Sequence, residues 1–379
     1  MNKTEPGLEH IKKLHINSFR NGRGVYNELG RRYGQKKSRE IIDEIVGATT
    51  MSLRERYEKK NADYEISMIF TGGFDADIVR KTCNWIDEHK DEFGDEILDV
   101  GCDCGFVTTF LGSVFPDKHI TAIERCKEGI EIAKQNVAKF GLTNVDFICD
   151  DVINLKDRQF DTVFSMRTML ENGESIKENP YDELIEMADK HAEAKKDYAA
   201  QLASLVKEGG NLISIERTGI DALLLAWLKD MADFNLKLKS HSQIKCTELG
   251  KDLQLQMMTF VKEDSEINAF DSFMECFSKY TNLEEAEYTG WAAKILYESE
   301  GGKNVLGYES TDTRNNTKNK VIIRMHNTEE DCFLLYNNNN GIANLSFVDV
   351  SDLEAVKDSI IKSLDEVKKH DFLEITEID

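Results

Sequence analysis

No apolar run in this sequence is long enough to cross a bilayer. The longest, such as Ala222 to Leu228, fall far short of the roughly 20 residues a spanning helix needs. The opening residues, MNKTEPGLEHIKKL, carry scattered charges and no apolar h-region, so no secretory leader is expected and a cytoplasmic location is. No Cys and His residues stand at the spacing of a structural zinc site, and no metal is expected. The eight cysteines are irregularly placed, several inside apolar patterns, which reads as buried free thiols in a reducing compartment and not a disulfide framework. Positive charge is also short. With 48 Lys and Arg against 70 Asp and Glu, the net charge of −22 argues against a nucleic-acid backbone as partner.

What is present describes a folded protein. At 379 residues, 40% hydrophobic and 31% charged, the chain has room for a sizeable core and for two or three domains. Residues 1–94 read as an N-terminal helical region with a local basic run (Arg20, Arg23, Arg31, Arg32, Lys36, Lys37, Arg39) and many aromatics, among them Tyr57 and Tyr64. The basic run reads as a solvated face and the aromatics as core, with a pocket lid as the lesser alternative. Thr71 to Phe74 reads as a turn, followed by an amphipathic helix from Ala76 to His89.

From residue 95 the pattern alternates between short apolar strands and helices, the sign of a doubly wound sheet. Strands are expected at Ile97–Val100, His119–Ile123, Val145–Cys149, Phe160–Ser165 and Leu212–Ile215. The segments Asn235–Cys246 and Asp252–Val261 suit an antiparallel terminal hairpin. The fold class expected is α/β, a Rossmann-like, seven-stranded, mostly parallel sheet spanning about 95–263. Residues 264–379 read as a helical linker followed by a small α+β domain with three strands, Val321–Met325, Cys332–Tyr336 and Ala343–Val348, and a last helix, Asp352–His370. The polar stretch Asp312–Lys320 reads as a separator. This last third is the most acidic part of the chain and shows no chemistry of its own.

The chemistry lies at strand ends. Asp99 precedes the turn Gly101-Cys102-Asp103-Cys104-Gly105, Glu124 ends the second strand, and Asp150-Asp151 follow the third. A glycine turn with an acidic residue some 20 to 25 positions on fits a nucleoside, whose ribose hydroxyls a carboxylate can accept. A dinucleotide would want a middle glycine where Asp103 stands, and that negative charge opposes a phosphate and favours a cation. A nicotinamide cofactor is therefore disfavoured. Cys102 and Cys104 read as packing residues.

These segments resemble class I S-adenosylmethionine-dependent methyltransferases. ILDVGCDCG resembles that family's first motif, and ITAIERCKEGIEIAKQNVAKFGLTNVDFICDDV the stretch through its second and third motifs. FDTVFSMRTML resembles the fourth and LVKEGGNLISIE the fifth. The resemblance implies S-adenosylmethionine as cofactor. Asp99, Gly101, Cys102, Asp103 and Gly105 would hold its methionine end, and Glu124 its ribose hydroxyls. Arg125 would flank the adenine, Asp151 and Val152 would meet its edge, and Ser165 and Met166 would line the sulfonium end. The acceptor is expected near Arg167, Glu171, Glu216 and Arg217, with Glu216 as a candidate general base and Arg167 as a candidate for orienting an anionic acceptor. For each of the last two, a structural salt-bridge partner is the commoner role of such a residue. The fourth motif reads Ser165-Met166-Arg167-Thr168, without the Asn/Asp-Pro-Pro-aromatic pattern that methylation of base or glutamine amino groups tends to use; Asn179-Pro180-Tyr181 lies too far on and reads as a loop. The function expected is methyl transfer to a small molecule or a protein side chain. The alternative is a non-catalytic cofactor-binding module that docks a protein partner through residues 264–379. A homo-oligomer is left open.

Overall fold

The computed structural model describes residues 5–47, 51–174, 176–177, 179–326 and 332–378. Two compact units result. The first comprises Met1–Gly173, Lys195–Gly219 and Asp230–Ile267; the second comprises Glu174–Ala194, Ile220–Lys229 and Asn268–Asp379.

The first unit begins with helices α1 (Pro6–Lys13), α2 (Gly22–Tyr33), α3 (Gln35–Ile42), α4 (Leu53–Asn61), α5 (Tyr64–Phe74) and α6 (Ala76–Glu88). Residues 1–4 and 48–50 of the expected helical region lie outside the described residues. Helix α4 starts with a capping box in which the Ser52 hydroxyl accepts from the Glu55 N–H and the Glu55 carboxylate accepts from the Ser52 N–H. The expected turn at Thr71–Phe74 is instead the last turn of α5. Its glycines serve close approach: a Cβ on Gly72 would stand 2.0 Å from the Asn17 carbonyl oxygen, and one on Gly73 would stand 2.4 Å from a Val25 methyl.

The sheet follows as expected. Its strands are β1 (Glu96–Val100), β2 (His119–Glu124), β3 (Val145–Cys149), β4 (Phe160–Met166) and β5 (Val206–Glu216), with β6 (Leu236–Glu248) and β7 (Lys251–Lys262) forming the hairpin. The order is β3-β2-β1-β4-β5-β7-β6, the first five parallel and β7 antiparallel to β5. The register aligns Asp99 with Ala122 and Val100 with Ser165, so the carboxyl ends of β1, β2 and β4 finish together. Helix α7 (Phe106–Val114) follows β1, and α8 (Lys127–Phe140) follows β2 and ends on Gly141 in the left-handed conformation. The central strands are buried on both faces, which is why β1 reads as an unbroken apolar run with Ile97 and Leu98 fully buried. Ile78 and Ile86 of α6, Leu111 of α7 and Phe164 of β4 belong to the same core. Helices α9 (Leu184–Ser204) and α10 (Ala222–Asp233) each contribute residues to both units.

The second unit contains α11 (Ala269–Tyr280), β8 (Glu287–Thr289), α12 (Trp291–Ser299), β9 (Asn304–Asp312), β10 (Thr317–Met325), β11 (Cys332–Asn339), β12 (Ile342–Asp349), α13 (Leu353–Val367) and β13 (Leu373–Ile378). Its sheet has six strands in the order β13-β9-β10-β11-β12-β8, twice the three expected. The polar separator is part of a hairpin between β9 and β10, paired from Thr317 opposite Asp312 to Arg324 opposite Asn304. The polar residues at the start of β10 are partly exposed, so its first half carries no apolar signal.

Candidate functional site

The turn after β1 reverses the chain through left-handed backbone at Gly101, Asp103 and Gly105, with φ of 71°, 45° and 70°. Gly105 is needed for a second reason: a Cβ there would lie 2.7 Å from the Cβ of Ala133 in α8. Ahead of the turn, Asp99 is buried and accepts a hydrogen bond from the Thr108 hydroxyl at 2.6 Å. Burial pushes its carboxyl up to about 7, against the lowering effect of that hydrogen bond.

Glu124, at the end of β2, accepts from the Cys126 N–H at 2.7 Å and from the Asp103 N–H at 3.2 Å. Burial raises its pKa, and those two donors oppose the rise. After β3, Asp151 accepts from the Ile153 N–H at 3.2 Å, and its carboxylate lies 4.0 Å from Arg125 Nη1. Asp99, Gly101, Cys102, Asp103, Glu124, Arg125, Asp151, Val152, Met166 and Arg167 all line one cleft at the carboxyl ends of the strands. Adjacent parallel strands ending together bring residues from distant parts of the chain to one edge.

Four of the expected site residues do not line it: Arg217, which pairs with Glu248 at 2.9 Å, and Gly105, Ser165 and Glu216. Gly105 sits at the start of α7, where it serves the packing against Ala133. Ser165 is fully buried and pairs with the Thr168 hydroxyl; strand alternation gives the cleft wall to its neighbours Phe164 and Met166. Glu216 is fully buried, accepts from the Met169 N–H at 3.3 Å and from the Ser214 hydroxyl at 3.3 Å, and is pushed up to about 8 by burial. Its hydrogen bonds hold the segment after β4, and it does not reach the cleft as a base.

Arg167 does line the cleft, in left-handed backbone at φ 60°, but its charge is answered. Nη1 meets Asp75 at 2.6 Å and Nη2 lies 3.7 Å from Glu248. Asp103 was read as a group that favours a cation, and the chain itself supplies that cation. Lys60 Nζ donates to Oδ2 at 2.6 Å, and Asn61 Nδ2 donates to Oδ1 at 2.6 Å. Burial alone would raise the Asp103 carboxyl, but Lys60 and these hydrogen bonds hold it below its ordinary value. On the same wall, the Tyr57 hydroxyl donates to Glu171 Oε1 at 2.9 Å. Burial raises the Glu171 carboxyl, opposed by that bond.

Sequence reasoning missed Lys60, Asn61 and Asp75, and it took Tyr57 as part of a general aromatic enrichment. None of these carries a local signal of function. Cys102 and Cys104 are buried, and burial lifts both thiols, as packing residues require. Among the described residues, no cluster of His, Cys, Asp and Glu is arranged to hold a metal ion, and no helix is long and apolar enough to cross a membrane.

Comparison with known proteins agrees with this geometry. Residues 91–272 match the methyltransferase domain family. A malonyl-[acyl-carrier protein] O-methyltransferase of Bacillus cereus is 36% identical over 93 residues, which cover 23% of this chain and 33% of that protein. An (S)-tetrahydroprotoberberine N-methyltransferase of Eschscholzia californica is 24% identical over 149 residues, 34% of this chain and 43% of that one. The chain thus spans about a third of the length of the first of these relatives. Among solved structures, a magnesium protoporphyrin IX methyltransferase from Synechocystis has a TM-score of 0.37 at 12% identity, covering 63% of this chain and 97% of the other. Residues 91–272 of this chain are thus similar to a methyltransferase domain.

Proposed function

We propose that the chain binds S-adenosylmethionine in the cleft at the carboxyl ends of β1 to β4 and transfers its methyl group to an uncharged or cationic acceptor. The observation that carries this reading is the convergence of Asp99, Glu124 and Asp151, from three strand ends, on one cleft with the glycine turn. The donor set fits this cofactor. It offers carboxylates for hydroxyls and an amino group, and a glycine turn that lines the same cleft.

Bound there, the cofactor supplies a methyl group on a sulfonium, a transfer that depends mainly on holding donor and acceptor in line. Glu124 would take the ribose hydroxyls, already oriented by the Cys126 and Asp103 N–H groups. Asp151 and Val152 would meet the adenine edge, beside Arg125. Asp99, fixed by Thr108, would face the methionine end.

The remaining wall bears on the acceptor. Each arginine lining the cleft already meets a carboxylate: Arg54 with Glu58 at 2.9 Å, Arg125 with Asp151 at 4.0 Å and Arg167 with Asp75 at 2.6 Å. A carboxylate acceptor would compete with these pairs for the arginines, whereas an amine or hydroxyl would not. For this reason the malonyl acceptor in the name of the Bacillus cereus relative is not carried over. Glu171, raised by burial, is a better base than an exposed carboxylate and is placed to take the proton such a nucleophile releases, steadied by Tyr57.

Calorimetric titration with S-adenosylmethionine and S-adenosylhomocysteine tests the cofactor reading, and no binding of either overturns it. Release of S-adenosylhomocysteine with matched amine, hydroxyl and carboxylate acceptors tests the rest. Turnover confined to carboxylates defeats the acceptor assignment. Cofactor binding without turnover on any of them favours a cofactor-holding module that serves a partner.

A further inference from the structure

The acid in the glycine turn is compensated from outside the methyltransferase segment, and that compensation reaches the cofactor carboxylate. Asp103 lines the same cleft as the buried Asp99 and the half-buried Glu124. A further half-buried negative charge there is costly unless it is paired and hydrogen-bonded. Lys60, at the end of α4, and Asn61 provide both the charge and the second donor. Lys60 and Asn61 are themselves buried, at 8% and 3% exposure, so water does not stand in for them. Asn61 is tied in further: its Oδ1 accepts from the Ser67 hydroxyl at 3.0 Å and from the Cys104 thiol at 3.2 Å.

Asp103 passes this restraint on through its backbone, because its N–H donates to Glu124 Oε2 at 3.2 Å. A chain of contacts therefore runs from α4 through Asp103 to the carboxylate assigned to the ribose. The electrostatics run the same way. Asp103 pushes the Glu124 carboxyl toward its protonated form, while Arg125 opposes it. With Asp103 left unpaired, that push is no longer offset by a neighbouring ammonium.

We propose that Lys60, which lies ahead of the matched segment 91–272, is a positioning residue for cofactor binding: its ion pair with Asp103 holds the glycine turn and Glu124 in the conformation that accepts the nucleoside. The inference rests on the cofactor reading above. It makes the helices before residue 91 part of the cofactor site and not an independent appendage.

The test measures the dissociation constant of S-adenosylhomocysteine by calorimetry for the full chain and four variants. Lys60→Met weakens binding at least tenfold, because the half-buried Asp103 loses its ion pair. Asp103→Asn weakens it as well, because the ammonium is then the orphan; Asn is suited to the left-handed backbone at this position, so the turn itself is kept. The double variant Lys60→Met, Asp103→Asn removes both charges and recovers to within threefold of the parent. Simple loss of packing does not produce that recovery. Asn61→Ala, which deletes one hydrogen bond to Asp103 and leaves the ion pair, loses three- to tenfold, and it decides the matter if Lys60→Met does not fold. Lys60→Met or Asn61→Ala binding within twofold of the parent overturns the inference, as does a double variant no better than Lys60→Met. A parent chain that binds no S-adenosylhomocysteine overturns the cofactor reading instead, so the two failures are distinct.

Discussion

The two sheets of this protein treat their polar residues in opposite ways. In the seven-stranded sheet, β1, β2 and β3 run parallel, and each has an acidic residue at or just past its carboxyl end that lines the cleft. In the six-stranded antiparallel sheet, hairpins join β9 to β10, β10 to β11 and β11 to β12, and several polar groups answer one another. Tyr336 stacks on Tyr297 with ring centres 4.0 Å apart and donates its hydroxyl to Glu183 at 2.7 Å. Arg324 lies over the Tyr297 ring and donates to its hydroxyl at 2.8 Å. A parallel sheet needs crossover helices, whose starting turns present N–H groups and carboxylates at one edge; a hairpin sheet has no such edge. The first arrangement leaves groups for a ligand, and the second spends them on its own stability.

The strongest way to break this comparison is at the turn itself. Gly105→Ala combines left-handed strain with a methyl forced against Ala133, about 2–5 kcal/mol together, so chemical denaturation should show the first unit severely weakened. A loss under about 1 kcal/mol would mean that the turn is far softer than its packing indicates.

Next in size is a pH effect behind the turn. His10 Nε2–H donates to the Phe106 carbonyl at 2.7 Å in the neutral ring. Burial, with Lys13 adding to it, lowers its pKa to about 4 against that hydrogen bond. The unfolded chain takes up this proton first. Stability is therefore whole above pH 6.5 and falls as the pH drops from 6.5 toward 4, by up to about 3 kcal/mol at the bottom of that window. His10→Gln should flatten this acid limb in a series of thermal melts. An unchanged limb would assign the acid sensitivity elsewhere.

Glu124→Ala should weaken S-adenosylhomocysteine binding by about 1–3 kcal/mol, the scale of a lost charged acceptor, with the fold retained. Unchanged affinity in a folded variant removes the ribose role. The smallest effect sharpens the contrast from the other sheet. Tyr336→Phe deletes the hydroxyl bound to Glu183 and should cost about 1 kcal/mol of stability while leaving cofactor affinity as it was. A fall in affinity there would show that the second sheet is not confined to a structural role.

Much of the first sheet was legible because its signals are local. Alternating strands and helices, Gly141 as a helix stop and acids at strand ends are patterns within a few residues of one another. The misreadings have physical causes too. Gly72 and Gly73 look like a turn but are spaces for Asn17 and Val25, contacts more than 40 residues away in sequence. The start of β10 carries polar, partly exposed residues, so it resembles a linker although it is paired on both sides. Ser165 and Met166 are adjacent in a motif, yet a strand turns them to opposite faces.

The strands of the first sheet and the acids at their ends were legible in the sequence, because they depend on periodicity and on short motifs, and the resemblance those motifs carry pointed to the cofactor class. Only the tertiary structure decided which charges are free to act. It paired Arg167 with Asp75, buried Glu216 outside the cleft and brought Lys60 across 43 positions to Asp103. A residue's type and its neighbours in the chain set the chemistry it can do. Its partners in space set whether that chemistry is already spent.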